Sequence, residues 1–298
     1  MSQQLAESTH AGIRLFGFSL AGEETFVAVP ELNVCFDIGR SPREVVAIDN
    51  ILLTHGHMDH AAGVAYYFAQ RTFVDNAPGN LFVPANLVEP IQSLLETWAD
   101  IDGQQPRAII RPACPGEVID LRRDLAVRPY KVNHATRRRD RAVVDAVGYT
   151  VLDVRKKLKP EFDGMSGPQL VEQKKQGVEI TRRVELPLVS YCGDTAPGDF
   201  FDLDHVRHAK VLILECTFFE PEHLDRARAG RHIHMSYLKD ILPRLKNEKI
   251  VLTHLSRRTA LNDARKMLER EVGPSEMQRI EFLMDTRRGD RKRGRSTP

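Results

Sequence analysis

The chain has 298 residues, a formal net charge of +2, 42% apolar and 28% charged residues. That length can bury a substantial core, and the balance is that of an ordinary globular protein, too weakly charged overall to argue for nucleic acid by itself. Four cysteines without C-x-x-C spacing exclude a disulfide or zinc-finger framework, and no uncharged apolar run reaches the roughly 18 residues a membrane span needs.

In chain order, the polar start MSQQLAESTH carries no apolar signal core, so the cytoplasm is the expected location. Short runs rich in Val, Ile and Leu predict buried strands at TFVAVP (25–30), NVCFDIG (33–39) and NILLTHG (50–56). AAGVAYYFAQR (61–71) has helical periodicity, GNLFVP (79–84) reads as a strand, and VEPIQSLLETWAD (88–100) as a second helix. VRPYKVN (127–133) and VGYTVLDV (147–154) are strands flanking the basic run RRRDR (137–141). RKKLK (155–159) is also basic, and 160–182 is the best candidate for an exposed insertion. PLVSYCGD (187–194), KVLILECTF (210–218) and KIVLTHL (249–255) are further strands, with helices at 235–246 and 260–271. Pro243 is placed to kink the first of these two helices. This order predicts an α/β fold of two sheets with helices outside, as one domain over 1–282 with a basic tail at 283–298.

The stretch THGHMDH (54–60) packs His55, His57, Asp59 and His60 behind the apolar run of a strand. Two pairs of imidazole and carboxylate donors can seed two adjacent metal positions, with Zn²⁺ best suited and Mn²⁺ or Fe²⁺ as alternatives. His134, Asp194 and His254 each follow another predicted strand, where sites gather in α/β sheets.

THGHMDH, the later single histidine, the GDT of 193–195 and the LTHLS of 252–256 together resemble the ordered motifs of the metallo-β-lactamase fold superfamily. The resemblance implies an αββα four-layer sandwich. It also implies a first metal held by His55, His57 and His134, a second held by Asp59, His60 and His254, and Asp194 bridging them. Asp37 would buttress the metal loop. LILECTFFEPEH (212–223), HIHMSYL (232–238) and LTHLSRR (252–258) resemble the ribonuclease Z branch, which matures tRNA 3′ ends. That resemblance makes His234 the proton donor to the leaving oxygen, oriented by Glu215, and Asp59 a catalytic carboxylate as well as a ligand. His232 is the alternative donor, and His232 with His234 as an accessory metal pair is a further reading.

The implied activity is a dinuclear-metal phosphodiesterase acting on a phosphodiester such as precursor tRNA, in a branch that is commonly homodimeric. A small phosphodiester, a cyclic nucleotide or an ester is the alternative substrate on the same scaffold, and a non-catalytic scaffold the reading of another class. The chain departs from the branch in lacking its N-terminal Gly-Thr-Gly loop, its Arg-Asn pair and its Gly/Pro-rich arm.

Overall fold

The computed structural model describes residues 5–134 and 146–285. The basic runs predicted at 137–141 and 287–295 lie outside the described residues. Among the described residues the chain forms two seven-stranded sheets, each in simple sequential order. The first holds β1 (Ala6–His10), β2 (Ile13–Leu20), β3 (Glu24–Val29), β4 (Val34–Phe36), β5 (Asn50–Leu52), β6 (Gly79–Val83) and β7 (Ala108–Pro112). The second holds β8 (Ile119–Arg122), β9 (Leu125–Lys131), β10 (Val147–Leu158), β11 (Thr181–Tyr191), β12 (Val211–Glu215), β13 (Lys249–Thr253) and β14 (Ile280–Phe282).

The layers follow from the period-2 alternation of strand side chains. Leu52 of β5 and Val211 of β12 point inward and join Phe36, Val127, Tyr149 and Val251 between the sheets. Their neighbours Ile51 and Leu212 point outward. Ile51 packs with Leu81 under α1 (Met58–Ala61), α2 (Val64–Phe73) and α3 (Val88–Asp102), contributing to the cluster of Tyr67, Phe68, Ile91 and Leu95. Leu212, with Leu214, Ile250 and Leu252, packs against Phe200, Ile241 and Leu268. Three apolar layers thus separate helix, sheet, sheet and helix, which is the αββα sandwich.

Four features differ from the sequence reading. β1, β2, β7, β8 and β14 had no apolar-run signal strong enough to stand out; β7 and β8 are sheet edges with largely exposed residues, as edges usually are. The helix expected at 235–246 breaks into a 3-10 turn at Met235–Tyr237, a short α-helix at Leu238–Ile241 and another 3-10 turn at Leu242–Arg244, because Pro243 cannot continue the ladder. The stretch 160–182 is largely exposed, as the sequence reading expects; what differs is that it is the tip of a long hairpin, in which β10 and β11 stay paired out to Leu158 and Thr181 and the tip carries a helix at Gly167–Lys175. Finally, Leu283 is buried and Met284 packs beside it between the sheets, so core contacts continue past 282.

Candidate metal centre

β11, β12 and β13 run parallel, and β9 points the same way across antiparallel β10. Their carboxyl ends therefore open on one edge of the sandwich. Asp194 follows β11, Glu215 ends β12, His254 follows β13 and His134 follows β9. The first sheet brings THGHMDH to the same edge behind β5, and the two sheets are tied there by Val147 N–H donating to the Thr54 carbonyl at 3.0 Å. The Tyr149 hydroxyl also donates to the Leu53 carbonyl at 2.8 Å.

Seven predicted ligands converge. His55 Nε2 lies 3.0 Å from His57 Nδ1 and 3.7 Å from Asp194 Oδ2, and His134 Nε2 lies 3.3 Å from His57 Nδ1. His60 Nε2 is 3.4 Å from both His254 Nε2 and Asp194 Oδ2. His254 Nε2 is 3.4 Å from Asp59 Oδ2 and from Asp194 Oδ2. Ligands at about 2.0–2.1 Å from a tetrahedral ion stand about 3.3–3.4 Å apart, so both groups have the spacing of a coordination shell. Asp194 Oδ2 reaches histidines of both groups, as a bridging carboxylate must.

Proton placement agrees with that spacing. His55 Nδ1 meets Thr54 Oγ1 at 3.0 Å, His60 Nδ1 meets Asp37 Oδ2 at 2.7 Å, His134 Nδ1 meets the Arg231 carbonyl at 3.2 Å and His254 Nδ1 meets Thr217 Oγ1 at 3.0 Å. In the neutral tautomer that a metal ligand needs, each outer nitrogen would donate its proton to an oxygen and leave the Nε2 lone pair facing the centre. Burial holds His55 well below the ordinary imidazole range and also lowers His57 and His134, which favours the neutral form a ligand needs, whereas at His60 burial is outweighed by the Asp194 and Asp37 carboxylates, which raise it well above that range. Burial works to raise Asp194, but the charges of His254 and His60 override it and hold the carboxyl well below its usual range. Asp59 is likewise opposed by burial yet drawn down to about 2 by its hydrogen bond to His254 and the charges of His60 and His254. The donor set and its outer contacts fit divalent cations.

Supporting residues surround the ligands: Asp37 is the buttress that the resemblance implies, while Tyr191, Ser19 and Gly22 carried no sequence signal of their own. Asp37, in left-handed backbone at φ 53°, accepts from His60, from the Thr54 backbone N–H at 2.7 Å and from the Tyr191 hydroxyl at 2.8 Å. His254 has φ 60°, and its backbone N–H donates to Ser19 Oγ at 2.8 Å. Strained non-glycine backbone of this kind concentrates at functional sites. The Gly22 backbone N–H donates to Asp59 Oδ2 at 2.8 Å.

Beside the cluster stands a second pair, and here the predicted assignment is corrected. Glu215 Oε1 accepts from His232 Nδ1 and from the Thr195 N–H, both at 2.8 Å, while Oε2 accepts from Thr217 Oγ1 at 2.6 Å and the Ile233 N–H at 3.2 Å. The His232 ring stacks on His254 with centroids 5.4 Å apart and planes at 21°. His234 faces away. Its Nδ1 accepts from Ser236 N–H at 3.2 Å, and its Nε2 is 3.0 Å from the Glu220 carbonyl, so it caps the turn that follows. The partner of Glu215 is therefore His232 and not His234, and the two histidines do not form a metal pair. Burial lowers His232, but the Glu215 charge and hydrogen bond outweigh it, with Asp194 adding, and bring it to about 9.

Comparison with known proteins fits this geometry. A family model described as anti-Pycsar protein Apyc1 matches residues 34–137. Chloroplastic tRNase Z TRZ2 of Arabidopsis thaliana is 35% identical over 256 residues, covering 84% of this chain and 69% of its own. tRNase Z TRZ1 of the same plant is 33% identical, covering 85% and 88%. Among solved structures, the metallo-β-lactamase fold protein YhfI from Bacillus subtilis superposes with a TM-score of 0.58 at 14% identity, covering 89% of this chain and 92% of its own. Human short-form tRNase Z superposes at 0.55 and 14% identity, covering 95% and 96%. The sandwich is the metallo-β-lactamase fold, and the tRNase Z relatives together with the His/Asp cluster at its strand ends make the chain a metal-dependent hydrolase of that fold. Within that class, the chain belongs to the ribonuclease Z, or tRNase Z, family.

Proposed function

We propose that this hydrolase is an endoribonuclease that uses two divalent ions, Zn²⁺ by the donor set, to cut a phosphodiester bond at the 3′ side of precursor tRNA. The observation that carries the reading is the His232–Glu215 pair stacked on His254, a proton donor at the edge of a metal-competent cluster. His55, His57 and His134 would hold one ion, and Asp59, His60 and His254 the other, with Asp194 between them. Bound there, such ions supply an activated water and neutralise charge on the phosphate. The protein does the rest. His232, held as imidazolium by Glu215, hands its proton to the departing alkoxide. Thr217 donates to Glu215 and accepts from His254, so one hydroxyl fixes both the acid pair and a ligand. Asp59 is kept ionised to face cations and to accept a proton.

The hairpin supports a polyanionic substrate. Lys157 stands opposite Arg182 on exposed strand, and Lys156 opposite Arg183, whose guanidinium is already paired with Asp120 and Glu185. Like charges directly opposite are destabilising and are relieved by a bound polyanion. A homodimer is part of the proposal, supported by the apolar stripe Leu94, Trp98 and Ile101 exposed along α3. The cytoplasm remains the proposed compartment; four unpaired cysteines suit a reducing environment. Among the described residues no helix is long and apolar enough to cross a membrane.

The test is a side-by-side assay, with Zn²⁺ and with Mn²⁺, of precursor tRNA, a cyclic nucleotide and bis(p-nitrophenyl) phosphate. Cleavage of the precursor at its 3′ side is expected. Hydrolysis of the small diesters with the precursor left intact at low salt would assign the site to small substrates.

A further inference from the structure

Arg231 occupies an unusual place. It caps helix α6 (Leu224–Gly230; a fifth short helix, α5, spans Asp204–Arg207, and the hairpin helix is α4) in left-handed backbone, φ 55° and ψ 55°. Glycine is the residue that adopts this conformation without steric cost, and glycine is the usual choice just past a helix. A glycine is present one position earlier, where contact requires it: a Cβ on Gly230 would come 2.8 Å from the His232 ring. The position whose dihedrals call for glycine holds an arginine instead.

That arginine lies between the two working parts of the site. Its carbonyl accepts from His134 Nδ1 at 3.2 Å, and the next residue is His232. The His134 and His232 rings are 5.2 Å apart, so the Arg231 backbone is seated at the junction of ligand cluster and proton donor. The carbonyl contact needs no side chain and glycine would supply it equally. The side chain itself is exposed and makes no ion pair among the described residues, unlike Arg228 and Arg257, which pair with Asp225 and Glu23. A strained backbone that carries an exposed arginine at the junction of ligand cluster and proton donor has a simple use.

We infer that Arg231 is a substrate-binding residue that takes the phosphate of a nucleotide flanking the scissile bond. Its planar fork of donors matches two phosphate oxygens. The inference rests on the proposed phosphodiesterase reading and adds a specificity device to it, because only a substrate with more than one phosphate can use this contact. A small diester gains nothing from it.

Arg231→Gly separates the alternatives, since it removes the cation while relieving the backbone and keeping the carbonyl for His134. Steady-state kinetics would be measured on a precursor tRNA transcript and on bis(p-nitrophenyl) phosphate across a salt series, together with thermal unfolding. The variant is expected to melt no lower than the parent and to hydrolyse the small diester unchanged. Its KM for the transcript should rise about five- to tenfold, and the slope of log kcat/KM against log salt should become shallower by about 0.7–0.9. Arg231→Lys should recover part of the KM and all of the slope. An unchanged KM and slope on the transcript would overturn the inference, as would an equal loss of kcat on both substrates, which would mean that the residue acts through His134. If the parent enzyme cleaves no transcript, it is the proposed function that fails, and that result is read before any variant is made.

Discussion

Replacing His232 by alanine is expected to lower turnover by about 10²–10⁴-fold while both candidate metal positions stay filled. The reason is geometric. His232 Nδ1 is bound to Glu215 at 2.8 Å, and its ring stacks on His254; it also stands within ligand reach of Asp194 and His254, but the groups His55, His57, His134, Asp194 and Asp59, His60, His254 each hold at least three donors without it. The pH dependence has a definite sign. The group acts as an acid, so the protonated form is the active one, and its pKa is raised to about 9. Turnover on the leaving-group step is therefore supported at neutral pH and is lost as pH rises through about 9. The alanine variant should lack that alkaline limb. His234→Ala, by contrast, removes the cap on Met235–Tyr237; it should cost about 1 kcal/mol of stability and leave turnover within a few-fold. Large loss in the His234 variant with normal turnover in the His232 variant would reverse the assignment.

The second large effect is expected for Asp194→Ala. Its Oδ2 lies 3.4 Å from His60 Nε2, 3.4 Å from His254 Nε2 and 3.7 Å from His55 Nε2, so one carboxylate serves both groups. It is almost fully buried, and its negative charge would offset that of two cations otherwise held largely by neutral imidazoles. Without it the chain should fold, lose metal from both positions and lose activity by at least about 10²–10³-fold. Metal content by plasma mass spectrometry after dialysis, alongside hydrolysis of bis(p-nitrophenyl) phosphate, checks this. A variant that keeps two ions per chain would show that Asp194 does not bridge.

Much of this was legible in the residues because the ligands announce themselves. Four of the seven are contiguous in THGHMDH, and His134, Asp194 and His254 each sit just past an apolar strand, where the fold gathers side chains. The layers were legible for the same reason: runs such as VLILE are buried on both faces. What stayed hidden is what spacing cannot encode. His232 and His234 are two apart and both follow α6; only the left-handed turn at Arg231 and the close approach of Gly230 decide which ring reaches Glu215. The outer half of the hairpin was equally silent, because β10 past Leu152 is held by ladder hydrogen bonds with β11 and not by burial, so RKKLK gives no strand pattern. Leu283 and Met284 read as tail in sequence because basic residues follow them, although their side chains belong between the sheets.

Seven side chains from two sheets are placed to share a pair of cations. Anomalous diffraction at the zinc edge from crystals of the purified chain tests it most directly. Two peaks are expected, one among His55, His57 and His134 and one among Asp59, His60 and His254, with Asp194 touching both. A single peak, or peaks held by other residues, would contradict the account.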